Sequence, residues 1–189
     1  MLLSAILTAV LAPLAVLGLD AVYNTNHNVT SLRGTWSTTN EFVLTPSMIA
    51  SPITSTFNIP EQNQDASSAS YSFTDDGFWE QCVYRLVSHG TSSCTKGVTI
   101  YQHGTYQLSS DGSITLTPFW QDGRIQILDP CMTSNQIALI NQTEHISSWR
   151  IFDGPVLRLV GEYYTPVKNM TRVCDPPQML SARVLSNFG

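Results

Sequence analysis

Asp76-Gly77 followed by Phe78-Trp79-Glu80-Gln81-Cys82-Val83-Tyr84-Arg85-Leu86-Val87 is the stretch that decides the fold. Asp-Gly reaches a positive backbone φ at little cost, as a hairpin turn requires. The run behind it is rich in aromatic and β-branched residues. Period two puts Phe78, Cys82, Tyr84 and Leu86 on one side, with Glu80 the odd member. Asp-Gly recurs at Asp111-Gly112, Asp122-Gly123 and Asp153-Gly154. Strand-like runs lie around these turns, at 98–108, 113–117, 124–128, 137–140, 144–152 and 156–164. Beyond the first residues no apolar stripe of helical period is sustained, so no helix is expected. About eight short strands joined by turns make a meander, which must close or fold over to hide its edges. The expected fold is therefore all-β: an antiparallel up-and-down β-barrel with a lipocalin-like meander, or alternatively a β-sandwich.

Composition narrows the function. The 189 residues are 42% hydrophobic and only 12% charged, with a net charge of −5. That excludes disorder and coiled coil, and the absence of any Lys/Arg cluster argues against nucleic acid as a partner. Residues 2–17 form an apolar run interrupted by Ser4, Thr8 and Pro13, too short for a spanning helix and followed by small residues up to Gly18. It reads as a secretory signal, residues 1–18, ahead of a single domain over 19–180 and a short tail over 181–189. In an oxidising compartment the even count of Cys82, Cys94, Cys131 and Cys174 makes two disulfides the default, with three connectivities open. Sequons begin at Asn28, Asn141 and Asn169. One stretch departs from the strand pattern. Residues 38–70 are charge-poor and read as a long loop, with short strands at 42–44 and 56–59. Its apolar residues Ile49, Ile53, Phe57 and Ile59 are candidates for a contact surface.

Catalytic chemistry finds little support. There is no Gly-x-Ser-x-Gly, no Cys-x-x-Cys and no phosphate loop. His27, His89, His103 and His145 are scattered, so neither a metal nor a nucleotide cofactor is expected. Asp75, Asp76, Glu80, Asp122, Glu144 and Glu162 could supply a glycosidase pair, with Glu80 and Glu144 placed to face a barrel interior. The first residue of an Asp-Gly turn caps its own backbone more readily than it catalyses. Trp36, Trp79, Trp120 and Trp149 could form a sugar platform, although core packing is the simpler role for them. The chain is not expected to be an enzyme.

Gly34-Thr35-Trp36 looks like the opening of a lipocalin barrel. Longer motifs follow in order: Tyr71-Ser72-Phe73-Thr74-Asp75-Asp76-Gly77, Tyr101-Gln102-His103-Gly104-Thr105-Tyr106, Asp122-Gly123-Arg124, Asp129-Pro130-Cys131, Asn141-Gln142-Thr143-Glu144 and Pro176-Pro177-Gln178-Met179-Leu180. Together they resemble the fungal Rot (reversal of Tor lethality) family, chaperone-like proteins of the endoplasmic reticulum (ER) needed for cell-wall 1,6-β-glucan.

The resemblance implies an ATP-independent folding factor of the ER lumen. Its partners would be unfolded or nascent secretory proteins, with other ER chaperones as further partners. It implies a Cys94–Cys131 bridge, which leaves Cys82 and Cys174 to pair. Family members usually continue into a C-terminal membrane span; none is expected within these residues, and secretion is the alternative location. Competing functions are a carrier of a small apolar ligand, which needs a cavity, and a glycan-binding or glycan-cleaving protein, which needs exposed tryptophans.

Overall fold

The computed structural model describes residues 31–38, 50–51, 56–57, 68–88, 95–129, 134–152, 156–161 and 168–179. They form strands β1 (Gly34–Ser37), β2 (Ala50–Ser51), β3 (Thr56–Phe57), β4 (Ser68–Phe73), β5 (Phe78–Ser88), β6 (Thr95–Leu108), β7 (Ile114–Pro118), β8 (Arg124–Asp129), β9 (Ser134–Leu139), β10 (Glu144–Phe152), β11 (Val156–Gly161) and β12 (Lys168–Cys174). Eight of these close a ring in the order β1-β4-β5-β6-β7-β10-β11-β12, with β12 returning to β1 and every pairing antiparallel. The up-and-down barrel is thus found, and closure between the first and last strands removes the open edges that a sandwich would keep. Strands β2 and β3 pair with each other apart from the ring. Of the expected loop strands, 56–59 is met in part by β3, and 42–44 lies outside the described residues. So do the signal segment and the 181–189 tail.

Two of the Asp-Gly turns work as expected, with Gly77 at φ 88° and Gly112 at φ 87°. Gly123 is a different case. It has no positive φ, and a Cβ there would overlap the carbonyl oxygen of Ile140. Glycine is needed at that position for the close approach of two strands, not for a turn.

Alternation along β5 keeps the grouping that the sequence gives and shows which face turns inward. Trp79 and Val83 point into the barrel, whereas Cys82 and Tyr84 point out of it; Gln81 shares the inward face and Glu80 the outward one. The interior is filled by Trp36, Tyr71, Phe73, Trp79, Ile114, Leu116, Ile146, Trp149, Leu157 and Met170, all buried in one cluster. Trp36 is fully buried, its Nε1 donates to the Leu32 carbonyl at 2.7 Å, and the Arg172 guanidinium stacks 4.5 Å from its ring centre. A packed interior meets the condition that removes the small-ligand carrier. The burial of Trp36, Trp79 and Trp149 takes away the glycan platform.

The outward face of β1, β4, β5 and β6 is buried as well, which single-sided alternation does not foresee. Thr35, Ser37, Ser68, Ser70, Ser72, Glu80, Cys82, Thr99, Tyr101 and His103 lie there. Small hydroxyl side chains let other backbone approach closely. The Gln178 N–H donates to Thr35 Oγ1 at 2.8 Å, and Ser72 Oγ donates to the Gln178 carbonyl at 2.8 Å.

The expected Cys82–Cys174 bridge is not formed. Both are free thiols, and β5 and β12 are separated in the ring by β4 and β1. Three strand spacings come to about 14 Å along the sheet, against the roughly 4–7 Å between Cα atoms that a disulfide tolerates. Burial, then the neighbouring Glu80, pushes the Cys82 thiol well up, so it stays protonated and a poor nucleophile. Cys94 and Cys131 lie outside the described residues.

Candidate client-binding edge

Strand β6 is long enough to serve two neighbours on one side. Its residues 104–108 pair with β7, while 97–101 pair with β8, which carries β9. The β8–β9 ribbon therefore leaves the ring as a flap, and in the described sheet β8 is the one neighbour of β9. Its root is fixed at several points. The Ile140 N–H donates to the Gly123 carbonyl at 3.2 Å, and the Gln142 N–H donates to Gln102 Oε1 at 2.9 Å.

Behind that clamp runs a buried polar network inside the barrel. Tyr71 Oη donates to the Glu144 carboxylate at 2.9 and 3.0 Å, and Gln81 Nε2 donates to Tyr71 Oη at 2.6 Å. Gln102 Nε2 reaches Gln81 Oε1 at 3.4 Å. Burial, reinforced by the Glu144 charge, raises the Tyr71 phenol well above its usual range and keeps it a donor. Glu144 faces inward as expected; Glu80 does not. It lies on the outward face, where Tyr101 Oη donates to it at 3.5 Å. The two carboxylates sit on opposite faces of the sheet, so they do not face each other across a common site.

The loop joining β7 to β8 crosses this outward face. His103 Nε2 bonds Asp122 Oδ2 at 2.7 Å, and Phe119 packs edge-on against the imidazole at 5.0 Å. Burial lowers the His103 pKa against the opposing pull of Asp122. Both folded and unfolded His103 are neutral above about pH 6.5; below it the unfolded chain takes a proton that the folded one refuses. Stability is then full above that pH and falls as pH drops, by at most about 1.4 kcal/mol per pH unit from this group. Urea midpoints for His103→Gln should decline less between pH 7 and 5 than those of the parent, and identical slopes would contradict this.

The latch holds up Trp120, which is 64% exposed. Leu139, Leu128 and Ile137 follow at 61%, 45% and 38%. Register pairs Leu128 with Asn135, Gln126 with Ile137 and Arg124 with Leu139, so Leu128, Ile137 and Leu139 share one face. It is the outward face, the one on which Asp122 meets His103. Four of the six large apolar side chains exposed among the described residues thus fall on the ribbon and its entry loop. Residues 134–143 carry no charge, glycine or proline.

Sequence reasoning marked 137–140 as a strand and Trp120 as core or platform, but found neither as a surface. The signal was present as an uncharged run with apolar residues on both faces. Of the contact residues expected from sequence, Ile49, Ile53 and Ile59 lie outside the described residues, as does the side chain of Phe57. Asn141 and Asn169 are exposed, while Asn28, His27, His89 and Glu162 lie outside.

Fold and edge define a closed β-barrel protein that carries on its flank a ribbon whose outer strand, β9, is uncharged and has no second neighbour among the described residues. The chain belongs to the Rot1 family, whose model, described as "Chaperone for protein-folding within the ER, fungal", matches residues 32–188. It is 39% identical to "Protein rot1" of Neosartorya fischeri over 168 residues, covering 84% of this chain and 69% of that protein. The Aspergillus niger protein of the same name is 36% identical (86% and 70% covered), and that of Schizosaccharomyces pombe 35% (82% and 68%). No solved structure matches. Membership of this family makes the chain an ER chaperone for protein folding.

Proposed function

We propose that the chain works without ATP in the ER lumen, holding unfolded segments of secretory proteins at the β8–β9 ribbon. By sustaining the folding of cell-wall-synthesis proteins it would support 1,6-β-glucan. The observation that carries this is the concentration of exposed apolar side chains at Trp120, Leu128, Ile137 and Leu139 on an uncharged stretch. Passive capture lowers the free concentration of aggregation-prone chains and needs no nucleotide. The loop bearing Ile49, Ile53, Phe57 and Ile59 is the second candidate surface, for its apolar, charge-poor sequence. The test is suppression of light scattering by a reduced, unfolded protein, with and without ATP. Equal suppression in both is expected, and suppression that requires ATP would refute the passive mode.

For the remaining cysteines we propose the Cys94–Cys131 bridge. Lys96 Nζ meets Asp129 Oδ2 at 2.7 Å at the outer end of the β6–β8 pairing. Cys94 and Cys131 each stand two residues further out in sequence. Non-reducing peptide mapping should recover these two joined and Cys82 and Cys174 as thiols. Any Cys82–Cys174 peptide would contradict the ring order. Glycans on Asn28, Asn141 and Asn169 would appear in the same map.

A further inference from the structure

Given the ribbon as the client surface, we propose that clients bind β9 by strand addition: an extended, uncharged segment of unfolded polypeptide pairs its main chain with the open edge of β9. Hydrogen-bond alternation identifies the groups available. Ile140 donates to Gly123, its partner in the continued register, which places that pair at a hydrogen-bonded position of the ladder. In an antiparallel ladder the bonded pairs alternate. Ala138 and Gln136 therefore turn their N–H and C=O toward β8. Asn135, Ile137 and Leu139 turn theirs away, toward the side on which the described sheet has no further strand.

Natural sheets guard such an edge with charge, proline, a bulge or a covering segment. Residues 134–139 have neither charge nor proline, and their pairing with β8 runs through six consecutive positions without a register shift. Residues 135–139 are all exposed. The charged side chains beside the edge, on β8, are each held by other groups. Asp129 is held by Lys96, and the Arg124 guanidinium turns back on the Gln121 and Gly123 carbonyls at 2.6 and 3.0 Å. An uncharged edge complements an uncharged partner. Within a protein-folding chaperone, that partner is a stretch destined for the interior of a client sheet. Main-chain bonds would give affinity for any sequence, and apolar side chains over Leu128, Ile137 and Leu139 would select β-prone, alternating segments.

Peptide binding tests this on the intact chain by fluorescence anisotropy. The probes are an eight-residue alternating Val/Thr peptide and two analogues N-methylated on alternate residues, one for each peptide edge. Their side chains are unchanged, but each analogue lacks the donors of one edge. The parent should bind, and at least one analogue should bind ten times more weakly or worse. Ile137→Pro removes an outward N–H that β8 does not use, and should lose the parent peptide to the same extent with an unchanged thermal midpoint. Equal binding of all three peptides would overturn strand addition, even if lysines at Ile137 and Leu139 abolish capture and so uphold the surface. Client capture indifferent to those lysines as well would overturn the surface itself. A concentration-dependent dimer that the peptide cannot compete away would show that a second copy of this chain occupies the edge, and would also overturn the proposal.

Discussion

Replacing Ile137 and Leu139 together by lysine is expected to weaken client capture at least tenfold while leaving the barrel folded. Each of these side chains would bury on a client, and removing a fully buried aliphatic contact costs about 1.5–3 kcal/mol. A loss of about 1.4 kcal/mol is already tenfold in the dissociation constant. The folded state scarcely notices the change, because both side chains are exposed and surface substitutions stay within about 0.5 kcal/mol. Phe152, 39% exposed on β10, provides the control. Phe152→Lys should suppress aggregation as the parent does. If the double-lysine variant matches the parent, the ribbon is not where clients bind.

The second large effect belongs to the seam where the barrel closes. Trp36→Ala removes a fully buried indole, its bond to the Leu32 carbonyl and its stacking on Arg172. Trp-to-Ala changes in cores cost about 3–5 kcal/mol, a large share of the roughly 5–15 kcal/mol that holds a domain together. With a slope of about 2 kcal/mol per molar urea, the midpoint should fall by roughly 2 M. A midpoint within about 0.3 M of the parent would mean that β1 and β12 are not the closing pair.

The all-β class and the ring were legible because alternation and Asp-Gly turns are local signals. Gly77 and Gly112 took the conformations their sequence announced. What stayed hidden depends on long-range placement. Alternation groups Phe78, Cys82 and Tyr84 on one face of β5, but with both faces of β4 and β5 buried it carries no local sign that Trp79, Gln81 and Val83 are the inward set. Cys82 and Cys174 looked like partners because pairing by elimination ignores strand order.

The motifs that carried the family resemblance turn out to meet in space. Gln102 clamps Gln142, Tyr71 bonds Glu144, His103 bonds Asp122, and Thr35 and Ser72 hold Gln178. They serve as clamps between strands and loops that lie far apart in sequence. The edge itself was written in sequence as an absence, ten residues without a charge, and only the sheet order shows that one side of it has no neighbouring strand among the described residues.

Amide-resolved hydrogen exchange on the intact chain, with and without an unfolded client, addresses client docking at β9 most directly. In the free chain the amides of Asn135, Ile137 and Leu139 should exchange quickly, and those of Gln136 and Ala138 slowly. Client addition should slow the first three at least tenfold and leave the other two unchanged. Protection that arises elsewhere, with those three amides still exchanging at their free rate, would contradict the account.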